Sequence, residues 1–260
     1  MTLNAIAFSR DKALVVADTA SFTGDGEFVG FTSKIATMPH ASAAMTARGP
    51  LDPFWRAVTR TMIDDPAADA DTLAAAMPAI LRDAWAEYVA EWAAYGVNLD
   101  QAAALEDTAP DTMLDVGLVG WSRSRGAFRG FAFNNIGGAD FEPLTFEAPS
   151  AMRAPGLADH VRLSREPTEA EMVALTRAEY ETAAKWTEAH YGFVAIGGAV
   201  EVVTLRPGKV EARMAGKYPN YDALARECEA PVLGAEATGS QPLSRQQRRR
   251  MEREQGKARV

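Results

Sequence analysis

Thr2-Leu3-Asn4-Ala5-Ile6-Ala7-Phe8, then Ser9-Arg10-Asp11-Lys12, then Ala13-Leu14-Val15-Val16-Ala17-Asp18 is the stretch around which the rest of the chain is organised. Two short apolar runs flank a four-residue polar loop, the pattern of an antiparallel hairpin. Such a hairpin returns Asp18 to the chain start, where position 2 is a threonine. The small side chain of Thr2 favours removal of Met1 by a processing aminopeptidase, which would leave a threonine with a free α-amino group. That single residue then carries a nucleophile and a base. The hydroxyl is weak at neutral pH, and an α-amine of pKa about 7.7–8.0 can take its proton directly or through one water. A nearby lysine favours the alkoxide, and a carboxylate holds the lysine in place. Asp18 ends the second strand, and Lys34 opens the next apolar run, Lys34-Ile35-Ala36-Thr37-Met38-Pro39.

Thr2, Asp18 and Lys34 stand sixteen residues apart in succession. In this spacing the chain resembles the proteasome β-subunit branch of the N-terminal nucleophile (Ntn) hydrolases, a branch with bacterial and phage relatives. Val15-Val16-Ala17-Asp18-Thr19 resembles the family's strand ending in aspartate, and Ser33-Lys34-Ile35 its Lys-Ile or Lys-Val pair. Ala43-Ala44-Met45-Thr46-Ala47-Arg48-Gly49 is similar to the strand whose terminal glycine N–H supplies an oxyanion hole. The glycine falls one place late here, so the donor is either Gly49 or the amide of Arg48. Gly197-Gly198-Ala199-Val200-Glu201-Val202 is similar to the family's Gly-Gly turn and alternating strand.

The resemblance spans about residues 2–222. It implies an α+β chain folded as a four-layer αββα sandwich of two antiparallel sheets with helices outside. It also implies an amide or peptide hydrolase in which Thr2 attacks, Asp18 and Lys34 tune the site, and Gly49 or Arg48 steadies the oxyanion. Homo-oligomers, including rings, follow from the same likeness, with a peptide or amide substrate and no cofactor. Two departures point the other way. Phe193 and Ile196 stand where the family has an aspartate and a serine supporting the threonine amine, and with no propeptide maturation rests on loss of Met1. These departures support a different class, a catalytically degenerate structural or assembly protein that keeps the sandwich.

Composition narrows the field. With 47% hydrophobic and 24% charged residues the chain is expected to form one large globular domain, residues 1–234. No apolar run reaches the length of a membrane span, and the start lacks a basic region followed by an apolar core, so a cytoplasmic protein is expected. The single Cys228 precludes an internal disulfide and sits among acids that disfavour its thiolate. His40, His160 and His190 are not at metal-ligand spacing, and no metal site is expected.

Charge is unevenly spread. Residues 241–260 carry seven Lys or Arg against two Glu, and removing that +5 from the formal −8 leaves −13 on the first 240. Residues 235–260 read as a basic, disordered tail with Arg248-Arg249-Arg250, suited to contact nucleic acid or an acidic protein surface. Without aromatic residues in that run, base stacking is not expected.

Between these ends the pattern alternates. Asp52 and Pro53 read as the N-cap and first turn of a helix through Phe54, Trp55, Val58 and Met62, stopped at Asp64-Asp65-Pro66. Leu73, Met77, Ile80, Leu81, Trp85, Tyr88, Trp92 and Tyr95 recur at helical steps and mark a second helix. Residues 98–111 are extra length relative to the family. Residues 114–121 and 127–133 read as a second hairpin, and residues 141–165, with Pro143, Pro149 and Pro155, as an irregular crossing. Thr168 and Glu171 form a capping box opening a third helix that ends near Gly192. A strand over 193–205 and another over 210–214 complete the expected fold.

Overall fold

The computed structural model describes residues 3–23, 26–64, 68–96, 113–136, 140–153, 160–162, 165–166 and 168–229. The proposed nucleophile Thr2, the extra segment 98–111 and the basic tail lie outside the described residues. The chain is a mixed α+β fold, and every described strand pairing is antiparallel.

The opening hairpin forms as its alternation predicts. Strands β1 (Asn4–Phe8) and β2 (Ala13–Asp18) pair with Asn4 opposite Ala17. They are central in a six-stranded sheet with β10 (Ser150–Arg153), β11 (His160–Arg162), β12 (Ala199–Arg206) and β13 (Lys209–Lys217), in the order β11-β10-β1-β2-β12-β13. A small hairpin, β3 (Ala20–Phe22) and β4 (Phe28–Phe31), follows β2. The second sheet runs β5 (Ile35–Met38), β6 (Ala43–Arg48), β7 (Asp115–Ser122), β8 (Ala127–Asn134) and β9 (Leu144–Glu147) in chain order.

Three apolar clusters explain why strands rich in Ala, Val and Ile bury both faces. Ile6, Phe8, Val15, Val203 and Leu205 of the first sheet meet Ile35, Ala44, Val119 and Phe128 of the second. The opposite face of the first sheet, Leu3, Ala5, Leu14 and Val16, packs on Met172, Val173 and Tyr180 of helix α3 (Glu169–Tyr191). The opposite face of the second sheet packs on helices α1 (Leu51–Asp64) and α2 (Ala70–Ala94) through Phe54, Val58, Leu73, Met77 and Leu81. Period-two alternation thus divides each central strand between two cores.

Several boundaries differ from the sequence reading. Helix α1 starts at Leu51, so Asp52 is not its cap; it lies in the first turn and pairs with Arg56 at 2.8 Å. Asp69 caps α2 by accepting from Thr72 N, and Tyr95 is exposed rather than part of the buried face. The segment read as an irregular crossing contains β9, β10 and β11, and β10 completes the pairing of β1. The strand expected from Phe193 begins only at Ala199, because Gly197 and Gly198 adopt positive φ. The capping box at Thr168 and Glu171 forms as expected. Helix α4 (Tyr221–Glu229) follows β13 and carries exposed Cys228.

Candidate active site

Asp18 is the convergence point. The β1–β2 register sets Leu3 against Asp18, and Leu3 N donates to Asp18 Oδ1 at 2.8 Å while Asp18 N donates to Leu3 O at 3.0 Å. Lys34 Nζ, immediately before β5, donates to Asp18 Oδ2 at 2.9 Å. Gly197 N donates to the same oxygen at 2.9 Å. Asp18 and Lys34 are buried to within 1% of complete exclusion from solvent. A buried carboxylate in this setting is tolerable because a cation and two backbone donors satisfy it.

The third donor is held by its own frame. Pairing of Val200 with Asp18 brings the turn before β12 to the end of β2. Gly197 has φ +130°, and a Cβ there would lie 2.1 Å from Asn220 Oδ1, so glycine alone fits. Asn220 Oδ1 accepts from Gly198 N at 3.1 Å, and its Nδ2 donates to Ile196 O at 2.8 Å. Gly197 O accepts from Thr19 N and Ala20 N. The Gly-Gly turn is thereby fixed with its first amide on Asp18.

Ser33 precedes Lys34 in the chain and meets Glu201, and neither was assigned a role from sequence. Ser33 Oγ lies 2.7 Å from Glu201 Oε2, and Ile35 N donates to Ser33 Oγ at 3.2 Å. Glu201 is largely buried, at a register shift between β12 and β13. Burial pushes its carboxyl above the ordinary glutamate value, and the Ser33 contact opposes part of that rise. Between the unfolded value and the raised folded one, the folded chain holds a proton that the unfolded chain has released. The stability this gives is fully present below the unfolded value near 4.5 and is lost as pH rises through the raised folded value. Glu201→Gln is expected to abolish this dependence. The stability of wild type minus that of the variant should fall with rising pH in urea titrations; a pH-independent difference would contradict the assignment.

Gly49 follows β6, whose last residue Arg48 pairs with Asp115 of β7. Its φ is +112°, with Met113 O where a Cβ would sit. β6 is also tied to β1, since Asn4 Nδ2 donates to Thr46 Oγ1 at 3.2 Å. Both residues are fully buried, and Asn4 Oδ1 has no hydrogen-bond partner among the described residues. The structure thus brings Asp18 and Lys34 into contact, and places Gly49 at the end of a strand linked to β1.

The departures at Phe193 and Ile196 are apolar in function as well as identity. The Phe193 ring lies 6.0 Å from that of Phe22, and Ile196 is buried in the cluster under α3. Polar support for this segment comes instead from Thr187 Oγ1, which accepts from Ala195 N at 3.2 Å, and Thr19 Oγ1, which accepts from Ala199 N at 2.8 Å. Nearby Tyr180 and Tyr218 stack at 5.1 Å, and burial, with a contribution from the Asp18 charge, raises both phenols. Among the described residues no group of three or more His, Cys, Asp or Glu side chains converges to hold a metal.

Asp18, at the end of β2, and Lys34, just before β5, thus form a buried pair beside the start of β1 in an α+β chain whose antiparallel sheets resemble those of a proteasome-like Ntn hydrolase in fold. Among solved structures, a mutant of Anbu from Hyphomicrobium sp. strain MC1 matches over 88% of this chain and 94% of its own. The identity is 12% and the TM-score 0.50, a likeness of fold. Anbu is a bacterial proteasome-like Ntn hydrolase. No protein-family model matches this chain, and no curated protein matches it.

Proposed function

We propose that this protein is a proteasome-like N-terminal threonine hydrolase of peptide or amide bonds. The observation that carries the reading is the double engagement of Asp18, which accepts from Lys34 Nζ and from Leu3 N, the residue after the proposed nucleophile. In the proposed reaction Met1 is first removed. The Thr2 hydroxyl attacks the substrate carbonyl and passes its proton to the Thr2 amine. Lys34, oriented by Asp18, lowers the energy of the alkoxide, and the N–H of Gly49 or Arg48 steadies the oxyanion. As the tetrahedral intermediate collapses, the Thr2 ammonium gives that proton to the departing substrate nitrogen, the C–N bond breaks, and an ester remains on Thr2 beside a neutral α-amine. Water, deprotonated by the same α-amine, hydrolyses that ester and restores the hydroxyl.

The fold likeness to Anbu supports this reading. We further propose that the three apolar clusters reflect a four-layer αββα domain over residues 1–234, that copies assemble into oligomers, rings included, and that residues 235–260 contact nucleic acid or an acidic protein surface. The reading places the protein in the cytoplasm and needs no cofactor; no helix among the described residues is long and apolar enough to cross a membrane.

The test is intact mass followed by an electrophile that requires both a free amine and a hydroxyl on one residue. The expected result is a chain lighter by one methionine, with a single adduct on Thr2 that Thr2→Ala abolishes. Quantitative retention of Met1, or an unmasked Thr2 that does not react, would favour the second reading, a non-catalytic structural or assembly protein. The observation favouring that alternative is the apolar packing of Phe193 and Ile196.

A further inference from the structure

Strand β13 forms one edge of the six-stranded sheet, paired only with β12 among the described residues. It is nine residues long, and most of them are exposed. Met214, at 59% exposure, is among the large apolar side chains in contact with solvent. Unpaired edges of this length are templates for another strand.

The two faces of β13 differ. Arg213 lies opposite Val202, which packs under α3, so Glu211, Arg213 and Ala215 lie on the α3 side. There Arg213 pairs with Glu169, and an open groove of about 830 Å³ runs between β13 and the first half of α3, lined in part by Val173, Arg177 and Ala215. Two guanidinium groups, Arg177 and Arg213, face a single carboxylate, Glu169, in this groove. Val210, Ala212 and Met214 lie on the opposite face, where Val210 packs against the inter-sheet cluster.

We propose that two copies of this chain join antiparallel along β13, about a two-fold axis through Ala212, to form one continuous sheet. A two-fold axis perpendicular to a sheet places one residue opposite itself, so the registers can be enumerated. Centring on Glu211 opposes Glu211 to itself and Lys209 to Arg213. Centring on Arg213 opposes Arg213 to itself and Lys209 to Lys217. Both set like charges together. Centring on Ala212 sets Glu211 against the second copy's Arg213 twice, in exchange for the exposed pairing of Glu211 with Lys209 of its own strand at 2.6 Å, and Val210 against Met214 twice. Centring on Met214 pairs Glu211 with Lys217, but Lys217 already binds Asp222 at 3.0 Å and covers the Tyr221 ring at 4.0 Å. The Ala212 register also brings a carboxylate to a groove mouth that holds an excess guanidinium. A guanidinium has donors enough for Glu169 and the incoming Glu211 together. Centring on Val210 pairs Lys209 with Glu211 but overlaps the two strands over only the three residues Lys209 to Glu211, and centring on Ala215 sets Arg213 against Lys217. This interface is independent of the chemistry at Asp18 and Lys34.

The test is sedimentation of the full-length protein over a concentration series. Wild type is expected to self-associate. Glu211→Arg sets arginine against arginine, and Arg213→Glu sets glutamate against glutamate, so each should weaken association about tenfold or more. The double reversal Glu211→Arg/Arg213→Glu restores opposite charges and should recover association to within a few-fold of wild type. Circular dichroism confirms that each variant is folded. In a Cys228→Ser background, Ala212→Cys should give a covalent dimer on oxidation and Met214→Cys should not. A monomer at every concentration, single reversals without effect, a double reversal no better than the singles, or cross-linking at 214 in place of 212 would overturn the proposal.

Discussion

Lys34→Met is expected to destabilise the fold by about 3–5 kcal/mol, the usual effect of leaving one member of a buried ion pair uncompensated. Asp18 is fully excluded from solvent, so water cannot replace the lost ammonium. Leu3 N and Gly197 N would remain as donors, which places the expected loss nearer the lower end of that range. Asp18→Asn in the same background removes the stranded charge, and the double variant should be more stable than Lys34→Met alone. Urea denaturation of the two singles and the double closes the cycle. A Lys34→Met loss under about 1 kcal/mol, in the range of exposed pairs, would mean that the pair is hydrated in solution. Under the proposed function, Lys34→Met also abolishes labelling of Thr2, including at temperatures where the variant is fully folded.

Gly49→Ala should have an effect of similar size for a different reason. Its φ of +112° disfavours any residue with a Cβ, and the added carbon would lie 2.1 Å from Met113 O. That atom belongs to the backbone leading into β7 and cannot swing aside as a side chain would. Strain and overpacking together give an expected loss of about 3 kcal/mol or more. Thermal unfolding of the variant reads this directly. A loss below about 1 kcal/mol would mean that the segment after β6 relaxes freely, and a rigid oxyanion donor at Gly49 would then be untenable.

The hairpin from Asn4 to Asp18 was legible because alternation, loop length and loop polarity agreed. The Asp18–Lys34 contact was legible through spacing, since two strands and a turn bring those positions together. Strands β9 to β11 were not. Prolines at 143, 149 and 155 interrupt their pattern, and β9 exposes three of its four residues, so no buried stripe marks it. The start of α1 was displaced because Asp52 satisfies Arg56 laterally instead of capping the first turn. Ser33 and Glu201 escaped notice because a carboxylate in an alternating strand reads as solvent-facing, while here it turns inward to a serine in the segment between β4 and β5. Asn220 was equally silent, because its importance lies in filling the space beside a glycine that is 23 residues earlier in the chain.

The clamp made by Asn220 sets a limit on how short this protein can be. The thirteen described strands are complete by Lys217, yet part of the bracing of the Gly197–Gly198 turn comes from Tyr218 N and Asn220, beyond the last of them. A chain cut after Lys217 would keep both sheets and lose the brace on an Asp18 donor. The boundary of a domain that keeps this brace therefore falls beyond Asn220 rather than after the final described strand.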